Sequence, residues 1–167
     1  MQSRVHSMAA VHERLYRSPD VARPDLAGYL DAVLSQALHF ARPGLVVESK
    51  RELQPCEVDL ESAVHLGLIV NELLTNAVKH AFPQRARGKR ELRLSHDEAT
   101  VGVVVSDDGI GLSEGPAAHG SNSMGLQIIH TLVEQIQGTL AFDSKHGTTC
   151  TLTAPLNTRN SPGRPRS

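Results

Sequence analysis

The sequence predicts an α+β fold, a two-layer α/β sandwich in which helices cover one mixed sheet, with an N-terminal helical segment ahead of it. Three observations predict this. Residues 59–82 repeat their apolar positions with helical period, and Leu66, Ile69, Leu73 and Ala77 form a stripe that would pack on a sheet. Strand-like runs come in adjacent pairs, "ELRLS" with "TVGVVVSD" and "TLAFDSK" with "TTCTLTAPL", each joined by a few turn residues. Everything before the first strand reads as helix.

The first segment, "MQSRVHSMAAVHERLYRS", places Met1, Val5, Met8, His12 and Leu15 on one seam, close to a heptad pattern. It is too short to be stable alone and wants a partner helix. Residues 25–41 read as a second helix with Asp25 at its N-cap, ended by Pro43-Gly44. "LVVESKREL" follows as a strand. Residues 59–82 form the longest helix, capped by Asp59, with Pro83 just past its end. "PQRARGKR" reads as a basic turn before the first strand pair. Residues 109–123 are rich in Gly, Ser, Pro and Ala and read as a long loop of the kind that often serves as a lid. "MGLQIIHTLVEQIQG" is a helix expected to end at Gly138. The strand pair around "HGT" closes the domain, and the Pro/Gly-rich tail, residues 157–167, is expected to be disordered. The division is therefore a helical segment at 1–41, a domain at 45–156 and the tail.

The chain has 167 residues, enough for one domain with a sizeable core. Aromatic residues make up 3 %, so that core must be built from Leu, Val, Ile and Ala. A formal net charge of −1 offers no electrostatic reason to expect nucleic acid or an anionic membrane as partner. Cys56 and Cys150 lie far apart with no CxxC spacing and read as small core residues of a protein in a reducing, cytoplasmic compartment. No signal peptide is visible at Met1 and no apolar run is long enough to span a bilayer, so a soluble protein is expected.

The chemistry is concentrated in four short motifs. In "NELLTNAVKHAF", Glu72, Asn76, Lys79 and His80 stand at helix-neighbour offsets beside the apolar stripe, so an acid, an amide and bases border the core. A solvated helix face is the plainer account of that stripe. "SDDGIGL" follows an apolar strand directly. Asp107, at the strand end, could accept a hydrogen bond from an amino group, and Gly109 and Gly111 leave room for a flat ring. A plain Asp-Gly turn is the competing account. "GSNSMGL" runs into a helix start, a natural seat for phosphate through free N–H groups and the helix dipole, although Gly-Ser loops before helices are common. "HGTTCTL" brings Gly147 and Thr148 to a turn before the last strand, as any hairpin would.

The order of the four motifs resembles the ATP-binding domain of the GHKL superfamily, which includes sensor histidine kinases, type II topoisomerases, mismatch-repair ATPases and a heat-shock chaperone. The resemblance covers residues 45–156. The N-terminal part narrows the match: "RVHSMAAVHERLYRSPD" followed by "LAGYL" looks like the second helix of the dimerisation hairpin in one bacterial histidine kinase subfamily, and "LGLIVNELLTNAVKHAFP" resembles that subfamily's asparagine box.

The resemblance implies ATP and Mg2+ as cofactors, and it implies a role for each matching residue. Asn76 matches the magnesium-binding amide, Glu72 the acid that polarises the attacking group or holds a metal-bound water, and Lys79 and His80 the groups near the phosphates. Asp107 matches the aspartate that reads the adenine amino group, and Gly109 and Gly111 the glycines beneath the base. Gly125 with Leu126 matches the phosphate-side helix start, and Thr148 the late threonine near the adenine. Residues 113–123 match the mobile ATP lid.

One departure stands against these matches. The family's phosphate-accepting histidine sits on the first hairpin helix, before an Arg-x-x-Asn-Asn type stretch, and no such stretch occurs in these 167 residues. The chain reads as beginning inside the second helix. Neither His6 nor His12 matches the acceptor by motif, and the other histidines show no metal-ligand spacing. The expected function is the catalytic core of a two-component sensor histidine kinase. Its partners would be ATP, a response regulator, and a second copy or partner chain that supplies the acceptor helix. The alternative is a non-kinase member of the superfamily: a partner-switch or anti-sigma-like serine kinase, or a remnant that binds ATP without transferring phosphate.

Overall fold

A computed structural model describes residues 9, 13, 15, 16, 22–111 and 124–156. The expected lid at 113–123, the tail from residue 157, and His6, His12, Met1, Val5 and Met8 lie outside the described residues. The elements run α1 (Leu26–Ala37), a 3-10 turn (Leu38–Phe40), β1 (Val46–Leu53), α2 (Leu60–His80), β2 (Arg87–His96), β3 (Thr100–Asp107), α3 (Met124–Gln135), β4 (Thr139–Asp143) and β5 (Thr148–Pro155).

Both predicted helix caps form. Asp25 accepts from the Ala27 and Gly28 N–H groups at 3.1 and 3.2 Å, and Asp59 from the Ser62 N–H at 2.9 Å. Each carboxylate satisfies first-turn donors that have no partner inside the helix. Helix α3 gives way to a turn after Gln135, and the residue in the left-handed region there is Gln137, at φ 55°, rather than Gly138. Gly138 instead donates its N–H to the Val133 carbonyl at 2.9 Å, so the helix closes one residue earlier than a stop with Gly138 in the left-handed position would.

The strands form one mixed sheet in the order β1-β2-β3-β5-β4. Strands β1 and β2 are parallel, joined across the sheet by α2; the other pairs are antiparallel. Strand β2 is longer than the sequence pattern predicts, because Arg87–Arg90 of the basic "turn" pair with β1, Val46 opposite Arg87 and Ser49 opposite Arg90. Periodicity could not show this, since the residues that make this stretch look like a turn are charged, and only the backbone pairing makes it a strand.

Strand residues alternate inward and outward. Leu92, Leu94, Val101, Val103, Val105, Leu152 and Ala154 turn inward and share one core with Leu30 and Leu34 of α1, Leu66, Ile69 and Leu74 of α2, and Ile129 and Val133 of α3. Burying a leucine or isoleucine this completely stabilises the fold by about 1.5–3 kcal/mol each. The opposite face of the sheet carries charges that pair along it, such as Lys50 with Glu91 and Arg93 with Glu52. Two layers result, as the sequence predicts. Leu15 is 2 % exposed and lies in the same core, so this part of the N-terminal seam is turned toward the domain rather than offered to an outside partner.

Candidate functional site

Helix α2 carries Glu72 and Asn76, both half-buried, and Lys79 and His80, both exposed in its last turn. Spacings of four and three residues set Glu72, Asn76 and Lys79 along one side of the helix. The first turn of α3 lies against that side. A Cβ placed on Gly125 would come within 2.5 Å of the Glu72 carboxylate oxygen, so the glycine lets the helix start approach the acid without displacing its side chain. Leu126 next to it packs against the main core and fixes α3 in place. At the far end of the pair, the His65 ring meets the Gln135 side-chain oxygen at 2.7 Å, a second tie between α2 and α3. The opening of α3, with the positive end of its helix dipole, therefore lies beside an acid.

Asp107 ends β3. Its Oδ1 accepts from the Gly109 N–H at 2.9 Å and from the Thr148 N–H at 3.3 Å. Thr148 is also its register partner on β5. Burial pushes the Asp107 carboxyl above the usual carboxylate range, against the pull of those two donors. Asp108 behaves differently. It is exposed, accepts from the Lys89 N–H at 2.7 Å and pairs with the Arg85 guanidinium at 3.0 Å. Partial burial works against ionisation, but the Lys89 N–H and Arg85 outweigh it and hold the carboxyl low. The first Asp of the doublet thus faces the interior, and the second bolts β2 to the loop.

That loop is wedged on both sides. The Ile110 N–H donates to the Ala81 carbonyl at 2.9 Å, and a Cβ on Gly109 would collide with Ala81 at the end of α2. Gly111, at φ 76°, sits beside the Ser144 and Gly147 carbonyls. Gly147, at φ 81°, leaves no room for a side chain against the Asp107 carbonyl. The structure therefore gathers Asp107, Gly109, Gly111 and Thr148 into one cluster, and Glu72 with Gly125 and Leu126 into a second, both built against α2.

Two predicted residues stand apart from these clusters. The Lys79 ammonium lies 5.2 Å over the Phe40 ring, on the side of the 3-10 turn, and His80 is exposed. The Asp108–Arg85–Lys89 bracket was not found from sequence; the Asp-Asp doublet after an apolar strand was its one visible signal. Among the described residues, no group of three His, Cys, Asp or Glu side chains is placed to hold a metal. Mg2+ usually keeps water and takes one or two protein oxygens with the rest from phosphate, so a half-buried amide beside an acid, as at Asn76 and Glu72, fits that donor set.

Residues 61–158 match the family model described as histidine kinase-, DNA gyrase B-, and HSP90-like ATPase, and residues 1–41 match a histidine kinase model. The chain is 33 % identical over 160 residues to the sensor histidine kinase PdtaS of Mycobacterium tuberculosis, covering 93 % of this chain and 32 % of that protein. It is 34 % identical over 110 residues to the blue-light-activated histidine kinase 2 of Erythrobacter litoralis, covering 65 % of this chain and 32 % of the relative. Among solved structures, the histidine kinase domain of the Erythrobacter litoralis EL346 blue-light-activated histidine kinase superposes with a TM-score of 0.80 at 27 % identity, covering 95 % of this chain and 75 % of that one. The chain spans about a third of the length of the curated relatives it matches, 32 % in each case cited.

Proposed function

The chain belongs to the family of histidine kinase-, DNA gyrase B-, and HSP90-like ATPases, and from that premise we propose that it is the ATP-binding catalytic core of a bacterial two-component sensor histidine kinase, working with Mg2+ in the cytoplasm. The observation that carries the reading is the pair of clusters built against α2: a half-buried carboxylate at a strand end beside glycines, and an acid facing the glycine that opens a helix.

In this reading Asp107 takes the amino group of the adenine, with Thr148 beside it and Gly109 and Gly111 leaving space for the ring. The helix start at Gly125 and Leu126 seats the phosphates at the positive end of the helix dipole. Asn76 supplies an oxygen to the Mg2+ that bridges the phosphates and neutralises their charge. Lys79 would leave the Phe40 ring to join His80 at the phosphates. Glu72 polarises the attacking imidazole, which must lie in line with the γ-phosphate. That imidazole comes from a histidine on another segment or chain, because no recognisable acceptor motif occurs in this sequence. A homodimer or partner chain would present it through the segment at 1–41, the domain at 45–156 would hold the nucleotide, and a response regulator would receive the phosphate.

Titration calorimetry of the chain with ATP and Mg2+ tests the reading. Asp107→Ala removes a hydrogen bond to a charged acceptor in a desolvated site, about 1.5–3 kcal/mol, so affinity should fall about ten- to hundredfold. Unchanged affinity would remove the adenine contact from the scheme. Asn76→Ala should instead leave a residual affinity that no longer depends on magnesium.

A further inference from the structure

Among the described residues, the buried polar and charged side chains are Thr75 and Arg90, and Arg90 is 2 % exposed. Its Nε donates to Ser49 Oγ on β1 at 2.8 Å, and its Nη2 donates to the Leu34 carbonyl near the end of α1 at 2.6 Å. Its Nη1 is buried with no partner among the described residues. The Leu34 carbonyl is available because the chain tightens into the 3-10 turn there: the Leu38 N–H, which a continuing α-helix would give to Leu34, turns to Gln36. A cation at this position also meets the negative end of the helix dipole. Burial lowers the guanidinium to about 10, with Arg51 nearby adding to the effect, and it remains charged at neutral pH.

The location gives this bond its meaning. Helix α1 lies within residues 1–41, which match the histidine kinase model, and Arg90 lies within residues 61–158, which match the ATPase family. The sheet register sets Ser49, Arg90, Asp107 and Thr148 in one row across four strands. The end of α1 is therefore attached to the same row that carries the Asp107 carboxylate.

We propose that Arg90 is a positioning residue that pins the last turn of α1 to the strand row of Asp107, and so fixes the direction in which the preceding helical segment meets the nucleotide-binding domain. The importance of that direction for phosphoryl transfer rests on the kinase reading above; the pin itself does not. An apolar side chain of similar length would fill the space at little cost, since buried charges are often no more stable than apolar replacements. What the guanidinium adds is a directed bond to one carbonyl.

Amide hydrogen exchange on the whole chain without nucleotide tests this with Arg90→Met and Arg90→Lys. In Arg90→Met, residues 34–40 should exchange about tenfold faster while the central strands β3 and β5 change less than about twofold, because a local pin opens without global unfolding. Arg90→Lys should restore part of the protection, since an ammonium can reach one of the two acceptors. Unchanged exchange at 34–40, or equal acceleration in β3 and β5, would overturn the proposal. Should Arg90→Met fail to fold, Ser49→Ala keeps the guanidinium, removes one anchor and is expected to accelerate the same residues selectively. ATP binding by the unmodified chain is measured separately, so a failure of the kinase reading is distinguishable from a failure of the pin.

Discussion

Burial of the Asp107 carboxyl at the end of β3 has a thermodynamic consequence separate from ligand binding. Because its folded-state value is raised above the ordinary 3.8, the fold holds the protonated form more tightly than the unfolded chain does. The resulting stability is fully present below about 3.8 and is lost as pH rises through the raised folded value, so at neutral pH the charge weakens the fold. Asp107→Asn keeps an Oδ1 acceptor for the Gly109 and Thr148 N–H groups and removes the charge. Thermal melts should therefore show the variant melting above the wild type at pH 7, with the gap closing at pH 3.5, while nucleotide affinity falls. A lower melting temperature at pH 7 would contradict the argument. In the proposed adenine-binding role, such a cost in stability is of the kind commonly given up for binding. Asp108, one residue on, is exposed and paired with Arg85, and its neutralisation is expected to loosen the loop rather than relieve it.

Between elements, a close fit forms where α1 crosses α2. The Tyr29 ring and hydroxyl occupy the notch that Gly67 leaves in α2, and burial of the phenol pushes it up to about 12. A methyl group at residue 67 would overlap the ring, and a packed interior yields little to such an insertion. Gly67→Ala should cost about 1–3 kcal/mol in urea denaturation, and the loss should shrink in a Tyr29→Leu background, where the ring is gone. Equal losses in both backgrounds would mean that the helix propensity of residue 67, and not the crossing, sets the effect. The same crossing brings Asp31 of α1 within 3.0 Å of Arg51 on β1, an exposed ion pair that adds little energy but agrees with the direction Arg90 imposes.

At the scale of the molecule, the proposed kinase chemistry depends on where its acceptor histidine lies. Phosphoryl transfer needs the acceptor in line with the γ-phosphate, and no recognisable acceptor motif occurs in the 167 residues. Incubated with radiolabelled ATP, this chain should bind nucleotide yet carry no acid-labile label, whereas a supplied acceptor helix should become labelled. Acid-labile label on the chain itself would point to His6 or His12. Among the described residues no helix is long and apolar enough to cross a membrane.

Much of this was legible from the chain alone, for one physical reason: caps, helical stripes and glycine loops depend on neighbours within a few residues. Asp25 and Asp59 as caps, the apolar stripe of Leu66, Ile69, Leu73 and Ala77, the strand pairs and the order of the four motifs all follow from such local rules, and the two-layer fold follows from them. The remaining features depend on contacts between distant segments, which no local period records. The parallel pairing of β1 with β2 turned a basic "turn" into a strand and buried Arg90. The approach of Gly147 to Asp107 depends on how β5 pairs with β3, and that of Gly125 to Glu72 on how α3 settles on α2. Lys79 lies over Phe40, and Leu15 is buried, because helical segments far apart in the chain pack on one another. Sequence determined which groups the protein could bring to a nucleotide, and tertiary packing alone decided which of them meet, because side chains far apart in the chain become neighbours only when a shared core is buried.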